Sequence, residues 1–175
     1  MEDLKYPIGK FQQDPAVTAE KRLQWIQSLS EMPGQLRQVV EDLNDEQLDT
    51  PYRPEGWTVR QLVHHLADSH IHAYVHCRLA LTEGKPTINK AYDPAAWAEL
   101  ADARSAPIDP SLAMISAVHE RWALLLRSLS ESEFARPFHY PEEGDIDLDV
   151  TLQIYAWHGK HHIAHITGLR ERNGW

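Results

Sequence analysis

Apolar residues recur at three- and four-residue intervals along most of the chain, the spacing of one buried helix face. Leu23, Ile26 and Leu29 form such a stripe beginning near Thr18. Leu36, Val39, Val40 and Leu43 resume it beyond Pro33-Gly34, which predicts either one kinked helix or two short ones. The stretch TPYRPEGW (50–57) reads as a loop. Thr58 then offers an N-cap for a long helix reaching about Thr82, with Leu62, Leu66, Ala73 and Ala80 on its buried side. A proline-containing connection follows, with one or two helical turns at DPAAWAEL. A third long helix is expected after Pro110, carrying Leu112, Ile115, Trp122, Leu126 and Leu129 on one face. Only RPFHYPEEGDIDLDV looks strand-like, as a small hairpin turning at Glu143-Gly144, and a last helix runs from about Val150 to Arg172. Four main helices with one long middle connection predict an all-α four-helix bundle. At 175 residues, one domain spanning 1–175 is expected.

The last helix breaks the apolar pattern in an informative way. Four histidines fall within YAWHGKHHIAHI, from Tyr155 to Ile166. At about 100° per residue, Ile154, Tyr155, His158, His162, His165 and Leu169 share one stripe of core width, with His161 at its edge. These imidazoles therefore continue the buried face, where polar rings need partners. His158 and His162 are four residues apart and can share one ion. His161 and His165 form a second such pair, rotated outward. One helix does not readily bring three ligands to one ion, so a further ligand must come from another helix.

The second long helix supplies candidates in VHHLADSHIHAYVH (63–76). His64 points nearly opposite to the Leu62–Leu66 stripe and is expected on the solvent side. His65, Ser69, His72 and His76 form a ridge at the edge of the core face, while His70 lies nearer its centre. Periodicity does not choose between His65 and His70, and His72 with His76 is another i,i+4 pair able to act by itself. On the third helix His119 sits between Ile115 and Trp122, where it reads as core packing, with support of a ligand as the alternative. Glu120 faces solvent, and His139 has no periodic partner. Cys77, the single cysteine, reads as a small buried hydrophobe.

Composition narrows the function. The net charge of −9 disfavours nucleic-acid binding, which needs a cationic face. One cysteine excludes an internal disulfide and suits a reducing compartment. The first residues lack a secretory pattern and the longest obvious apolar run, WALLL (122–126), is too short to span a bilayer, so a cytoplasmic protein is expected.

In order and spacing, YPIGKF, LDTPYRPEGWTVRQLVHHLADSH, RWALLLRSL and YAWHGKHHIAHITGL resemble the DinB superfamily, and within it the YfiT-like branch described as metal-dependent hydrolases. The resemblance covers nearly the whole chain. It implies that the histidine directly before Leu66, which is His65, joins His158 and His162 as the metal ligands. It also implies a four-helix bundle, one divalent ion such as zinc or nickel per chain, and a homodimer. Many wider relatives follow the second ligand of the pair with Arg-Gly-Gln, whereas His162 is followed by Ile163-Ala164-His165, so thiol-dependent isomerisation is not implied. Members similar to the branch have been associated with transfer of bacillithiol, a small thiol, to electrophiles.

Three neutral imidazoles leave a divalent ion its full charge and an open position. Such an ion activates water for hydrolysis or holds a thiol as thiolate for transfer to a small electrophile. Thiol transfer is slightly favoured, with hydrolysis close behind and a non-catalytic metal-binding stress-response bundle as the alternative. His161, His165 and Asp68 are candidates for a proton relay or for supporting a ligand. No catalytic residue is assigned.

Overall fold

Nine helices and one two-stranded sheet occur among the residues described by the computed structural model, which are 2–88, 90–140 and 144–175. In chain order they are α1 (Glu2–Lys5), α2 (Ala19–Val40), α3 (Asp45–Leu48), α4 (Val59–Thr82), α5 (Pro94–Ala98), α6 (Ala101–Ser105), α7 (Asp109–Ser128), α8 (Glu131–Phe134), β1 (Pro137–Tyr140), β2 (Gly144–Asp147) and α9 (Leu148–Asn173). The long helices α2, α4, α7 and α9 make the bundle. Both α2 and α4 pack against α7 and α9, so α2 and α4 sit on one diagonal and α7 and α9 on the other. The expected four-helix architecture is the one observed. No helix among the described residues is long and apolar enough to cross a membrane.

Local chemistry sets the helix ends. Thr18 Oγ1 accepts from the Lys21 N–H at the start of α2. Thr58 and Gln61 form a reciprocal capping box at the start of α4. The Asp147 carboxylate caps α9 by accepting from the Val150 N–H at 2.8 Å. Gly174, in the left-handed region at φ 69°, ends the same helix. The expected hairpin is present, with Pro137 opposite Asp147 and Tyr140 opposite Gly144. Of its expected turn residues, Glu143 lies outside the described residues, and Gly144 opens β2 at φ 82°.

Three expectations are sharpened or corrected. Pro33 lies inside a single continuous α2, so the one-helix option holds. Leu23 is 60% exposed and is not part of the core stripe, which starts at Ile26. At that level the contact to α9 is made by the neighbouring Arg22, whose guanidinium bonds Asp149 at 2.7 Å. His64 is buried, contrary to its expected solvent position. The end of the middle connection and the first turn of α7 cover the back of α4, so His64 Nδ1 meets Ser111 Oγ of α7 at 2.8 Å and Nε2 meets the Ala106 carbonyl.

The core is divided along the bundle axis. One apolar cluster contains Met32, Leu36, Leu62, Leu66, Ile115 and Ile166. The other contains Leu29, Ala73, Trp122, Leu126 and Leu152. In sequence the boundary falls between Leu29 and Met32, Ala67 and Ala73, Ile115 and Trp122, and Leu152 and Ile166. His70, His119, His158 and His162 occupy the interval between those boundaries on their helices. A histidine layer thus interrupts an otherwise apolar interior. Gly159 lets α9 approach α2 there, since a Cβ at this position would lie 2.6 Å from Met32 Cγ.

Candidate metal centre

α4 and α9 bring His65, His158 and His162 together, with one nitrogen from each ring falling within 4.8 Å of the others. His65 Nε2 lies 3.4 Å from His158 Nε2, and His162 Nε2 lies 3.0 Å from the same atom. An imidazole nitrogen has a single in-plane hydrogen-bonding position, so His158 Nε2 does not bond both neighbours through one proton. One cation could take a lone pair from each of the three. Ligands at 2.0–2.1 Å in tetrahedral arrangement are separated by about 3.3 Å, which matches the observed nitrogen spacings.

The electrostatics fit the same reading. Burial pushes the His65 imidazole down to about 4. His158 and His162 are held well below the usual value, first by burial and then by neighbouring imidazoles. All three are neutral near pH 7, the state that donates a lone pair to a metal. His65 and His158 keep partial exposure, while His162 is 8% exposed, so the cluster has an open side.

Two aromatic residues line that cluster without any signal in the helical periodicity. The Trp57 ring lies 4.8 Å from that of His65. Tyr92, from the middle connection, places its hydroxyl 3.2 Å from His65 Nδ1. Both lie in loops, where a period-based reading has nothing to count.

The other candidates separate. His70 does not join the cluster; it is wholly buried behind His158, with Nε2 3.1 Å from His158 Nδ1. His119 lies behind His70, at 2.8 Å, and its other nitrogen faces the Leu29 carbonyl. His72 and His76 engage different partners: His72 Nδ1 meets the Asp68 carbonyl, and His76 Nδ1 meets the Tyr140 hydroxyl. Asp68 is partly buried, which raises its carboxyl above the usual range. His139 pairs with Asp145 at the surface. Cys77 is buried and its thiol is pushed up to about 11, as expected of a small hydrophobe and not of a nucleophile.

His161, His162 and His165 form a second group of three with nitrogens within 4.8 Å of one another. It shares His162 with the first. His161 is stacked on Trp157 at 4.5 Å, and His165 Nε2 lies 3.3 Å from the Lys5 carbonyl.

A DinB superfamily profile matches residues 28–166, a span containing all three histidines of the α4–α9 cluster. The chain belongs to the DinB superfamily. Among its relatives, a protein of Bacillus mycoides is 48% identical over the full length of both chains, and one of Oceanobacillus iheyensis is 52% identical over 98% of each. Both carry the name "putative metal-dependent hydrolase". Among solved structures, YfiT from Bacillus subtilis superposes with a TM-score of 0.95, at 48% identity and with 99% of each chain covered. It is described as "a probable metal-dependent hydrolase with an unusual four-helix bundle topology". This DinB-superfamily chain shares that bundle and carries histidine groups able to hold a metal.

Proposed function

We propose that this chain is a metal-dependent hydrolase holding one divalent ion, zinc before nickel, on His65 Nε2, His158 Nε2 and His162 Nε2. The observation that carries the reading is the convergence of three neutral imidazole nitrogens at 3.0–3.4 Å around His158, on the open side of a buried layer. Such an ion lowers the pKa of water or a thiol and polarises a carbonyl. The protein supplies the rest. α4 and α9 fix the donor geometry, burial keeps the rings neutral, and Tyr92 and Trp57 restrict how a small substrate approaches His65.

Transfer of a small thiol to an electrophile is the second reading. It is favoured by a cavity of about 710 Å³ whose lining includes Lys5, Lys10 and Arg53 against one carboxylate, Glu55, a cationic balance suited to an anionic thiol such as bacillithiol. That cavity adjoins the His165 side of the histidine layer through the Lys5 carbonyl.

Metal analysis of untagged protein tests the first step, with about one ion per chain expected. His65→Ala, His158→Ala and His162→Ala should each lose it, whereas the surface variant His139→Ala should keep it. Equal retention in all four overturns the ligand set. The loaded protein is then assayed on esters, amides and small electrophiles, with and without a thiol. Turnover in water alone supports hydrolysis, and turnover only with thiol supports transfer. No turnover in either, with no exchangeable ligand on the ion, leaves a metal-stabilised bundle.

A further inference from the structure

Behind the cluster runs a hydrogen-bonded line that touches all four long helices. Pro33 has no N–H, so the Leu29 carbonyl on α2 lacks its usual helical donor. That carbonyl instead faces His119 Nδ1 of α7 at 2.6 Å. His119 Nε2 lies 2.8 Å from His70 Nδ1 of α4, and His70 Nε2 lies 3.1 Å from His158 Nδ1 of α9.

One fixed end orders the whole line. A carbonyl oxygen only accepts, so His119 Nδ1 carries the proton. Neutral imidazole has one N–H, so His119 Nε2 is an acceptor and His70 Nδ1 must donate to it. His70 Nε2 is then an acceptor, and His158 Nδ1 must donate in turn. The neutrality on which each step depends follows from burial, since His70 and His119 are both 0% exposed. It leaves His158 with a bare Nε2, the atom centred between His65 and His162.

We propose that His70 and His119, anchored on the Leu29 carbonyl that Pro33 leaves open, are positioning residues that lock His158 into the Nδ1–H tautomer and aim its Nε2 lone pair at the ion. This rests on the proposed ion site. Neither residue touches the ion. They act through His158, which is unlike its two companions: His65 Nδ1 faces a hydroxyl able to donate or accept, and His162 Nδ1 has no hydrogen-bond partner among the described residues. A hydrogen bond to the far nitrogen of a metal-bound histidine both orients the ring and raises its basicity. Without His119, His70 Nδ1 would lose its acceptor. His70 would then favour the Nε2–H form, donate to His158 Nδ1 and drive the proton of His158 onto Nε2, where it blocks the ion.

The first measurement is made on metal-free wild-type protein labelled with 15N, reading the tautomer of each histidine from long-range 1H–15N correlations. Protonated Nδ1 is expected for His119, His70 and His158 together; an Nε2–H form at any of the three overturns the proposal. The second compares zinc affinity by chelator competition in wild type, His119→Phe and His119→Gln. The Phe variant should bind roughly 10- to 100-fold more weakly, the usual effect of losing such a supporting bond. The Gln variant, whose Oε1 can accept from His70 Nδ1, should recover most of that loss. A Phe variant equal to wild type, or a Gln variant as weak as Phe, overturns the proposal. If His119→Phe does not fold, the wild-type tautomers still decide it. Wild-type protein that shows all three Nδ1–H rings but binds no zinc or nickel overturns the metal reading and leaves the hydrogen-bonded line intact.

Discussion

Histidine does several different jobs in this chain, and the partner of each ring, more than its place in the sequence, separates them. His64 shows this. Its ring is bonded to Ser111 and sits under the middle connection, so His64→Ala should cost about 1–3 kcal/mol by leaving a buried hydroxyl unpaired. Metal stoichiometry should not change. Denaturant melts together with metal analysis check both halves, and metal loss in this variant would mean that the back of α4 communicates with the site. Gly159 is equally specific. The Cβ of Gly159→Ala would stand 2.6 Å from Met32 Cγ, inside the contact of α9 with α2. A destabilisation of about 1–3 kcal/mol is expected from overpacking. Met32→Ala in the same chain should relieve the clash, so a double variant less stable than the additive sum would refute it.

Between elements, the ends of α2 and α9 are tied by charge. Arg22 and Asp149 make two bonds of 2.7 Å with side chains only 12% and 14% exposed. Asp149→Ala would leave the largely buried guanidinium with only the more distant Glu131 carboxylate, at 4.0 Å, as a charged partner, which costs about 2–4 kcal/mol when a buried pair is broken on one side. Urea titration checks it, and a change within about 0.5 kcal/mol would show that Arg22 finds solvent instead. The same site lies at the far end of α9 from the glycine cap, more than two turns before His158. Metal affinity should therefore move far less than stability.

At the scale of the whole molecule, the buried histidines couple folding to pH. His119 and His65 are each held at about 4 in the folded chain by burial, below the usual 6.5. Between those values the unfolded chain binds protons that the folded chain does not. The metal-free protein should therefore be fully stable above about pH 6.5 and lose stability as pH falls towards 4, at up to about 1.4 kcal/mol per pH unit for each such ring. Thermal melts across pH 4–8 check the sign; flat stability from pH 7 to 5 would contradict it. Bound metal works the other way. At a thousandfold excess over its dissociation constant an ion adds about 4 kcal/mol, and its release should begin only as pH drops towards the depressed values of its ligands, well below 6.5. Retention unchanged at pH 3 would point to ligands other than histidine.

Sequence alone determined the four long helices, because an apolar stripe of helical period records which face is buried wherever a helix packs on its neighbours. It also determined that the histidines of the last helix face inward, since His158, His162 and His165 continue that stripe, and Thr58 carried its capping role in its own chemistry, whereas Pro33 left one helix or two open until the structure showed one. Periodicity left His65 and His70 as equals, and only family resemblance separated them. In the structure the difference is one of helix crossing: α4 and α9 place His65 Nε2 beside His158 Nε2, and put His70 behind the same ring. Leu23 and His64 went against their stripes for a related reason. Their surroundings are set by Arg22 paired to Asp149 and by Ser111 in the first turn of α7, far along the chain. The tertiary structure alone decided the order Leu29, His119, His70, His158, since 90, 49 and 88 positions along the chain separate the successive bonded pairs. A helical period reports which way a side chain points, whereas a hydrogen bond requires that another helix bring the right atom to within 3 Å or so.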